Sequence, residues 1–499
     1  MTGCVAQVLA LFALRWRMIR SNAVRVCIVL SLVAVGWLCG VTFLGARHLD
    51  GPELVTAIRV APQAFFGFAF LAVIAPLTAG GGNEIVPSSQ LVAYPLRPRA
   101  AFLGGLALAP LNLVWVLQIL GLIAETTIVS HRQLHGAVTA ALYVAALTAA
   151  GQALAWWVVG LRQTAQGRRA LAITGGAIAV IIVLLLRSHY DRTVVDHLPT
   201  NLLVRAMRFS DRGVWSTWGA VTLGLLLFLV AALLVGERSC AWALRRPGDA
   251  GAIRSTRAHR RRHQERSPLR TLVAIDRGSV WRAPALRRGA LVLALLPGLA
   301  AAGAKVPWSS LAVLPGLVAA GAGLLFGINA FCLDGSGAVL LASMPHDPRL
   351  LLRSKAVVLT ETVLAGAALA AVSGSIRAPG SPTTTDLVGI VASVLASTAV
   401  VVATGLSGSV RRPHKAELNG PRDAVAPPGA LTAASVRLVL PAGLVGMTMG
   451  FLVRSGYWWL SPAFGVAVVG VAALSLMRTA RLWDDPLQRS RVVQVVSAG

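Results

Sequence analysis

The chain has 499 residues, of which 56% are hydrophobic and 13% are charged, and its mean hydropathy is +0.71. This composition excludes a soluble globular protein, because so much apolar surface cannot be buried in cores beneath a polar exterior. The formal charge of +27 would suit a nucleic-acid-binding protein, but the cations follow a membrane topology pattern, which argues against nucleic acid as a partner. The sequence therefore predicts an all-α polytopic membrane protein surrounded by a lipid bilayer.

Twelve apolar runs have the length of a membrane-spanning helix, which needs about 20 residues to cross a hydrocarbon core of roughly 30 Å. They lie near 23–45, 60–80, 101–124, 136–160, 169–186, 217–236, 289–304, 309–332, 356–374, 386–406, 431–453 and 456–477. Six precede and six follow a basic segment at 238–268, whose polar composition cannot bury a core and predicts a solvated linker. The predicted organisation is a first six-helix half at 1–237, this linker, and a second six-helix half at 269–499.

Two short segments have apolar residues at helical spacing but are too short to span a membrane. One contains Val5, Val8, Leu9 and Phe12, and the other begins at Leu269 and ends in Val280-Trp281-Arg282. Basic residues accompany both, so each is predicted to be a helix that lies in the cytoplasmic membrane interface, one at the start of each half.

The cations are concentrated in alternate loops. Arginines and lysines occur before helix one and after helices two, four, six, eight, ten and twelve, at Arg15, Arg17, Arg20, Arg25, Arg97, Arg99, Arg168, Arg169, Arg254 to Arg288, Arg349, Arg353, Lys355, Arg411, Arg412, Lys415, Arg478, Arg481, Arg489 and Arg491. By the positive-inside rule these loops are cytoplasmic. The protein is thus predicted to be a multi-pass protein of the cytoplasmic membrane with both termini inside.

One short motif occurs twice. Pro95-Leu96-Arg97-Pro98-Arg99 recurs 250 positions later as Pro345-His346-Asp347-Pro348-Arg349, at the end of the second loop of each half. This shift of half the chain length predicts an internal duplication. Because each half has an even number of helices, both halves have the same orientation, which makes the predicted repeat parallel.

The segment before each motif begins with a break that is rich in glycine and asparagine. Gly80-Gly81-Gly82-Asn83-Glu84 ends helix two, and Asn329 to Gly337 ends helix eight. A short amphipathic stretch follows, and the Pro-x-x-Pro-Arg turn then leads into the next helix, since proline suits the first helical position and arginine anchors at the headgroups. A tight cytoplasmic loop would account for one copy. Duplication of a segment longer than a minimal turn favours a docking element.

These segments resemble the ABC transporter permease family, specifically two-unit bacterial exporter permeases with a short coupling helix between helices two and three of each six-helix unit. The second copy carries the resemblance in Asn329-x-Phe331-x-x-Asp334-Gly335-x-Gly337, followed by Pro345 and then Arg349 to Lys355, and the first carries it in Gly82-x-Glu84 with Tyr94-Pro95. The copies differ in length between the asparagine and the proline, which implies unequal docking.

The resemblance implies that separate ATPase subunits, in two copies, grip these segments and hydrolyse Mg-ATP. The implied coupling residues are Asn83, Glu84, Pro95, Arg97, Pro98, Arg99, Asn329, Asp334, Gly335, Pro345, Asp347, Pro348 and Arg349. None of the chain's three lysines stands in a Gly-x-x-x-x-Gly-Lys-Ser/Thr sequence, so the chain is expected to bind no nucleotide itself. No catalytic residue is predicted. The five cysteines lack CxxC spacing, so no metal site is predicted either.

Two polar residues lie in the third helix of each half at similar depth, Asn112 and Glu361. Intramembrane ionisable groups usually face a cavity or a partner, which makes these residues candidates for a translocation path. Glu361 is only six residues beyond Lys355, so extension of its side chain towards the cytoplasm is the alternative.

Two further classes of function stay open. An ion-coupled secondary transporter also has twelve helices and parallel halves, but usually has several buried ionisable groups along its path. A polytopic lipid-processing enzyme would need clustered carboxylates, and the loops offer only Asp484-Asp485, which we interpret as part of a solvated tail. The transported substrate is not encoded in any recognisable motif.

Overall fold

The computed structural model describes residues 97–107, 133–167, 199–211, 215–245, 267–303, 305–335, 337–414 and 428–497, together with 61–70, 169–171, 173–177 and scattered positions before residue 131. The chain divides into two compact units, one comprising Met1–Leu77 and Asn83–Thr256 and the other Thr78–Gly82 and Arg257–Gly499. The described residues of both units are almost entirely helical and contain no strand. The predicted all-α class is thereby confirmed.

Four helices of the first unit have both ends within the described residues. They are α1 (Pro98–Ala107), α2 (Gln133–Arg162), α3 (Pro199–Asp211) and α4 (Trp215–Arg245). Helix α4 packs against α2, α1 and α3, and the Tyr143 hydroxyl on α2 donates to the Phe65 carbonyl at 2.7 Å, which joins the helical residues 61–70 to the unit. Since α4 reaches Arg245, the first eight residues of the predicted linker are helical, and 246–266 lie outside the described residues.

The second unit is described more completely. Its helices are α5 (Pro268–Arg282), α6 (Pro284–Gly303), α7 (Trp308–Leu311), α8 (Leu314–Ala322), α9 (Gly337–Ser343), α10 (Pro348–Ser375), α11 (Thr384–Arg411), α12 (Pro428–Arg454), α13 (Leu460–Asp484) and α14 (Pro486–Ser497). A π-helical segment, Gly323–Gly327, continues α8. The core includes Phe331, Val363, Val401, Leu406 and Trp483.

Seven described helices are long and apolar enough to cross a membrane. They are His135–Leu161, Trp215–Arg245, Trp308–Gly327, Pro348–Ser375, Thr384–Arg411, Arg437–Arg454 and Leu460–Asp484. Each coincides with one of the predicted runs, and the predicted run at 289–304 is the shorter apolar helix Gly289–Gly303. The runs at 60–80, 101–124 and 169–186 are described only in part, and 23–45 lies outside the described residues. These helices are those of a membrane-embedded protein.

Helix α13 shows the pattern expected of a lipid-facing helix. Only 17% of the most apolar 18-residue stretch of α13 is buried inside the protein. Val466 and Val471 are 73% and 68% exposed. An apolar surface of this extent is unfavourable in water but is matched by lipid chains.

Proline begins many of the described helices, because its fixed φ suits the first helical position and its missing N–H is not needed there. Pro98 and Pro348, the second prolines of the duplicated motif, begin α1 and α10. The prediction that the Pro-x-x-Pro-Arg turn leads directly into a helix is therefore confirmed for both copies. Asp347 caps α10, with its Oδ1 accepting from the Arg349 N–H at 2.9 Å.

Two helix crossings in the second unit depend on glycine. A Cβ at Gly405 on α11 would lie 2.9 Å from the Cα of Gly327, and a Cβ at Gly446 on α12 would lie 2.9 Å from the Cα of Gly316 on α8. Both contacts are backbone against backbone, which no side-chain rotation can relieve. The first brings the π-helical segment directly against α11, and the second brings α8 against α12.

Candidate functional site

Residues 328–335 follow the π-helical segment and contain the described part of the break predicted from Asn329 to Gly337, and we refer to them as the break. The Asn329 amide donates to the His414 carbonyl at 2.5 Å, and the Ala330 N–H donates to the Ser409 hydroxyl at 3.0 Å. Asn329 is 1% exposed. Gly335 ends the break with φ of +47°, a left-handed conformation that glycine adopts without strain. The break is thus held on the end of α11, and the π-helical segment next to it is a type of irregularity common at functional sites.

Three charged side chains meet beneath the break, and we refer to Asp276, Asp334 and Lys355 as the ion triad. The Lys355 ammonium lies 2.7 Å from Asp276 Oδ1 and 2.5 Å from Asp334 Oδ1. All three side chains are at most 10% exposed, and the Ser354 hydroxyl donates to Asp276 Oδ2 at 2.7 Å. The triad joins α5, the break and α10, and with two carboxylates to one ammonium it has a formal charge of −1.

Burial dominates the electrostatics of the Asp334 carboxyl, which lies outside the candidate spans. Removal from water raises the pKa of Asp334, and the nearby Asp276 carboxylate raises it further, while the Lys355 ammonium lowers it. The Asp334 carboxyl therefore holds a proton more readily than a free aspartate does.

Aromatic stacking connects the break to the end of α13. The rings of Phe331 and Trp483 are stacked with centroids 4.9 Å apart and an interplanar angle of 11°. The Lys355 ammonium lies 5.9 Å from the Phe331 ring centroid, and the Trp483 indole N–H donates to the Pro348 carbonyl at 2.7 Å. Trp483 thus contacts both the break and the Pro-x-x-Pro-Arg turn.

The arginine of each turn forms an ion pair with the sixth predicted helix of its own half. Arg349 binds Asp484 through two hydrogen bonds of 2.8 and 2.6 Å. In the first unit Arg99 Nε lies 3.6 Å from Glu237 Oε2 on α4. The side-chain exposures match closely, 53% and 35% for the first of these pairs and 56% and 38% for the second.

The chain beyond Asp484 is a packed helix. Val492 and Val496 of α14 are 2% and 4% exposed and belong to the same core as Phe331 and Trp483. The Gln488 amide donates to the Val410 carbonyl on α11, and α14 contacts α9. Interpretation of the tail as solvated missed this packing, because its apolar residues are few.

Helix α9 is the short amphipathic stretch predicted between the break and the turn. Ala338 faces the core, whereas Val339 and Leu340 on the same helix are 54% and 61% exposed. Met344, which directly follows α9, is 46% exposed. This exposed apolar face lies outside every candidate span. An exposed apolar patch on a segment between two spans is typical of a site that contacts a protein or a membrane surface.

The predicted site residues are only partly described. Asn329, Asp334 and Gly335 lie in the break, Pro345 and Asp347 are exposed, and Arg97 is exposed at the start of α1. Asn83, Glu84, Pro95 and Asn112 lie outside the described residues, so their assignments stay predictions. Glu361 forms a two-bond ion pair with Arg277 on α5 and is not buried.

Several residues of this cluster were missed by sequence reasoning. Asp276, Trp483 and Asp484 are distant in sequence from the motifs, although Asp276 gives a signal. It follows Leu269, Leu272 and Val273 at helical spacing and precedes Val280, so an acid stands on the apolar face of an amphipathic helix. Such a residue requires a buried partner, and Lys355 supplies it.

Together the fold and this cluster define an all-helical membrane protein with an exposed apolar face on α9 of its second unit. Comparison with protein-family models, curated proteins and solved structures finds no match to this chain, so its function is argued from its own residues.

Proposed function

We propose that this protein is the permease of an ATP-binding cassette exporter, with two parallel six-helix halves, and that separate ATPase subunits supply its energy. The observation that carries the proposal is the segment from Asn329 to Arg349. It leaves a candidate membrane span, is held at its break by partly buried hydrogen bonds, exposes the apolar face of α9, and returns into the next span through Pro348. A segment that is fixed to the helices by hydrogen bonds and has an exposed apolar face suits a site where a partner protein binds and transmits its movement.

Duplication supports two docking segments. The starting residues Pro98 and Pro348 are 250 positions apart, and each turn arginine pairs with an acid on the sixth predicted helix of its half. Equivalent contacts in both halves are expected if one ancestral unit was doubled. The proposal therefore includes two ATPase copies, cytoplasmic docking segments and cytoplasmic termini.

Nucleotide and magnesium belong to the partner in this proposal. The chain lacks the glycine-rich lysine loop that cradles phosphates, so it is not itself the ATPase. The substrate is exported through the helical halves, with Asn112 and Glu361 as candidate residues of its path.

An ion-coupled secondary transporter is the second candidate, and the ion triad is the observation that favours it. Buried ionisable groups are the usual proton sites of such transporters. Lys355, however, is seven residues from the start of α10, about 10 Å along the helix, whereas coupling sites lie near the membrane midplane. The triad's position at the end of a span fits a structural role better.

The test is purification of the full-length tagged chain from membranes of its native host in mild detergent, with bound proteins identified by mass spectrometry. We expect an ATPase subunit to co-purify and ATP turnover to require it. A Val339→Glu/Leu340→Glu variant should lose this partner. Leu487→Glu, which adds a charge at a 79% exposed position on α14, is the matched control and should retain it.

Two results would contradict the proposal. One is ATP hydrolysis by the chain free of any partner. The other is transport that stops when the proton gradient is collapsed but continues after ATP depletion, which would place the secondary transporter first.

A further inference from the structure

The two turn arginines occupy equivalent places and make equivalent contacts inside the protein. Arg99 and Arg349 each follow the proline that begins a helix, and each reaches an acid on the sixth predicted helix of its own half, Glu237 or Asp484. Both pairs are half-exposed to a similar degree. The same pairing of turn arginine and acid in two copies whose loop lengths have diverged is not expected of incidental surface contacts.

Further bonds connect the same helix ends. In the second unit the Trp483 indole, one residue before Asp484, donates to the Pro348 carbonyl, one residue before Arg349. In the first unit the Gln163 amide, at the end of the fourth predicted helix, donates to the Ala243 carbonyl on the sixth at 3.2 Å. In the second unit the Gln488 amide on α14, directly after the sixth helix, donates to the Val410 carbonyl at the end of the fourth. The turn is thus attached to the sixth helix through two neighbouring bonds.

We propose that in each half the turn arginine is a positioning residue that couples the Pro-x-x-Pro-Arg turn to the last membrane helix of that half. A displacement of the turn then moves two helices, the one it begins and the one its arginine holds. This assigns Arg99 and Arg349 an internal role in place of the direct partner contact that the family resemblance implies. An exposed ion pair contributes little to overall stability, so its effect is on relative position.

The experiment is hydrogen–deuterium exchange of the purified full-length chain in detergent, read by mass spectrometry. Arg349→Glu and Asp484→Arg should each increase amide exchange several-fold at two separated places, the turn around 345–351 and the helix ends around 482–490. The charge swap that combines both substitutions should restore most of the protection. Arg353→Glu makes the same charge change at an exposed position one turn further along α10 and should leave both places unchanged.

The first unit gives an independent repetition. Arg99→Glu and Glu237→Arg should show the same pattern with a smaller amplitude, because their charged atoms are 3.6 Å apart instead of 2.6 Å. Arg245→Glu, exposed near the end of α4, is the control there. Exchange that rises only beside the substituted residue, or that the swap leaves raised, would overturn the proposal.

A second measurement rests on the proposed function and separates the two ideas. In complexes with the co-purified ATPase, Arg349→Glu should retain the partner but lose most partner-dependent ATP turnover, and the swap should regain it. Loss of the partner in the single variant without recovery in the swap would make Arg349 a direct contact and refute its internal role while leaving the permease assignment intact. The exchange experiment needs no ATPase, so its outcome stands if the permease assignment fails.

Discussion

Lys355 and Asp276 form a buried ion pair, with 2.7 Å between the ammonium nitrogen and Asp276 Oδ1, that joins the start of α10 to α5. Asp334 completes the triad from the break. Taking charges out of water is costly, and the cost is recovered only when each charge has a close partner. Because one ammonium serves two carboxylates, the three residues are not equivalent, and substitutions should reveal the difference.

Lys355→Met should be among the most destabilising substitutions in the second unit. It leaves two buried carboxylates without a counter-charge, and removal of one partner from a buried pair costs about 3–5 kcal/mol. Asp334→Asn leaves a balanced Asp276–Lys355 pair and should cost about 1 kcal/mol, the scale of one hydrogen bond. Denaturant or thermal unfolding in detergent measures both, with Arg353→Met on the exposed side of α10 as the control. If Lys355→Met and Arg353→Met had equally small effects, Lys355 would not be the necessary counter-charge of the two buried carboxylates.

The triad should also make stability depend on pH. Burial raises the pKa of Asp334 above its ordinary value of 3.8 despite the opposing Lys355. The folded protein therefore binds this proton more tightly than the unfolded chain, and the resulting stabilisation is lost as the pH rises through the folded-state pKa. Relative to Asp334→Asn, which cannot titrate here, the wild-type melting temperature should fall as the pH rises above the ordinary value of 3.8 and through the raised pKa. A relative rise over this range would mean that the attraction of Lys355 outweighs burial.

His414, whose carbonyl accepts from Asn329, should titrate in the opposite sense. Burial and the nearby Arg412 lower the pKa of His414 below its ordinary value of 6.5. The folded chain thus favours the neutral imidazole, so stability is lost as the pH falls from this ordinary value through the lowered pKa. Wild-type protein should lose stability relative to His414→Gln on acidification through this range, as measured by melting temperature. A pH-independent difference between the two proteins would contradict the shift.

Gly405→Ala should destabilise the protein where Gly408→Ala does not. Both lie on α11, and alanine favours a helix over glycine at either position by about 0.5–1 kcal/mol. A Cβ at Gly405 meets the Gly327 backbone at 2.9 and 3.0 Å, whereas a Cβ at Gly408 meets nothing within 4 Å. Overpacking of this kind costs about 1–3 kcal/mol, so the two variants should shift unfolding midpoints in opposite directions. A shift in the same direction would mean that the crossing beside the π-helical segment relaxes easily.

Hydrophobic length and proline position predicted the helices, whereas the candidate site depends on contacts that periodicity does not encode. The seven described spans and the helix starts at Pro98 and Pro348 follow from local physics. Asp484 lies 135 residues from its partner Arg349, and the local sequence around Asp484 is that of an ordinary polar tail. The pattern of cations in the predicted cytoplasmic loops includes Lys355 but does not indicate whether its side chain is exposed or buried. The acid on the apolar face of α5 was the one local sign of a buried ion pair.

The final prediction concerns α14, whose local sequence does not reveal its packing. Val496 is 4% exposed and packs in the core that contains Phe331, so Val496→Ala removes buried apolar volume and should cost about 2 kcal/mol from lost transfer and cavity terms. Leu487→Ala on the same helix removes a larger side chain that is 79% exposed, and should change stability by less than about 0.5 kcal/mol. Unfolding of the two purified variants in the same detergent compares them directly. If Leu487→Ala destabilised the protein as much as Val496→Ala, α14 would not be packed on the break. Its contacts with α9 and α11 would then not contribute to stability.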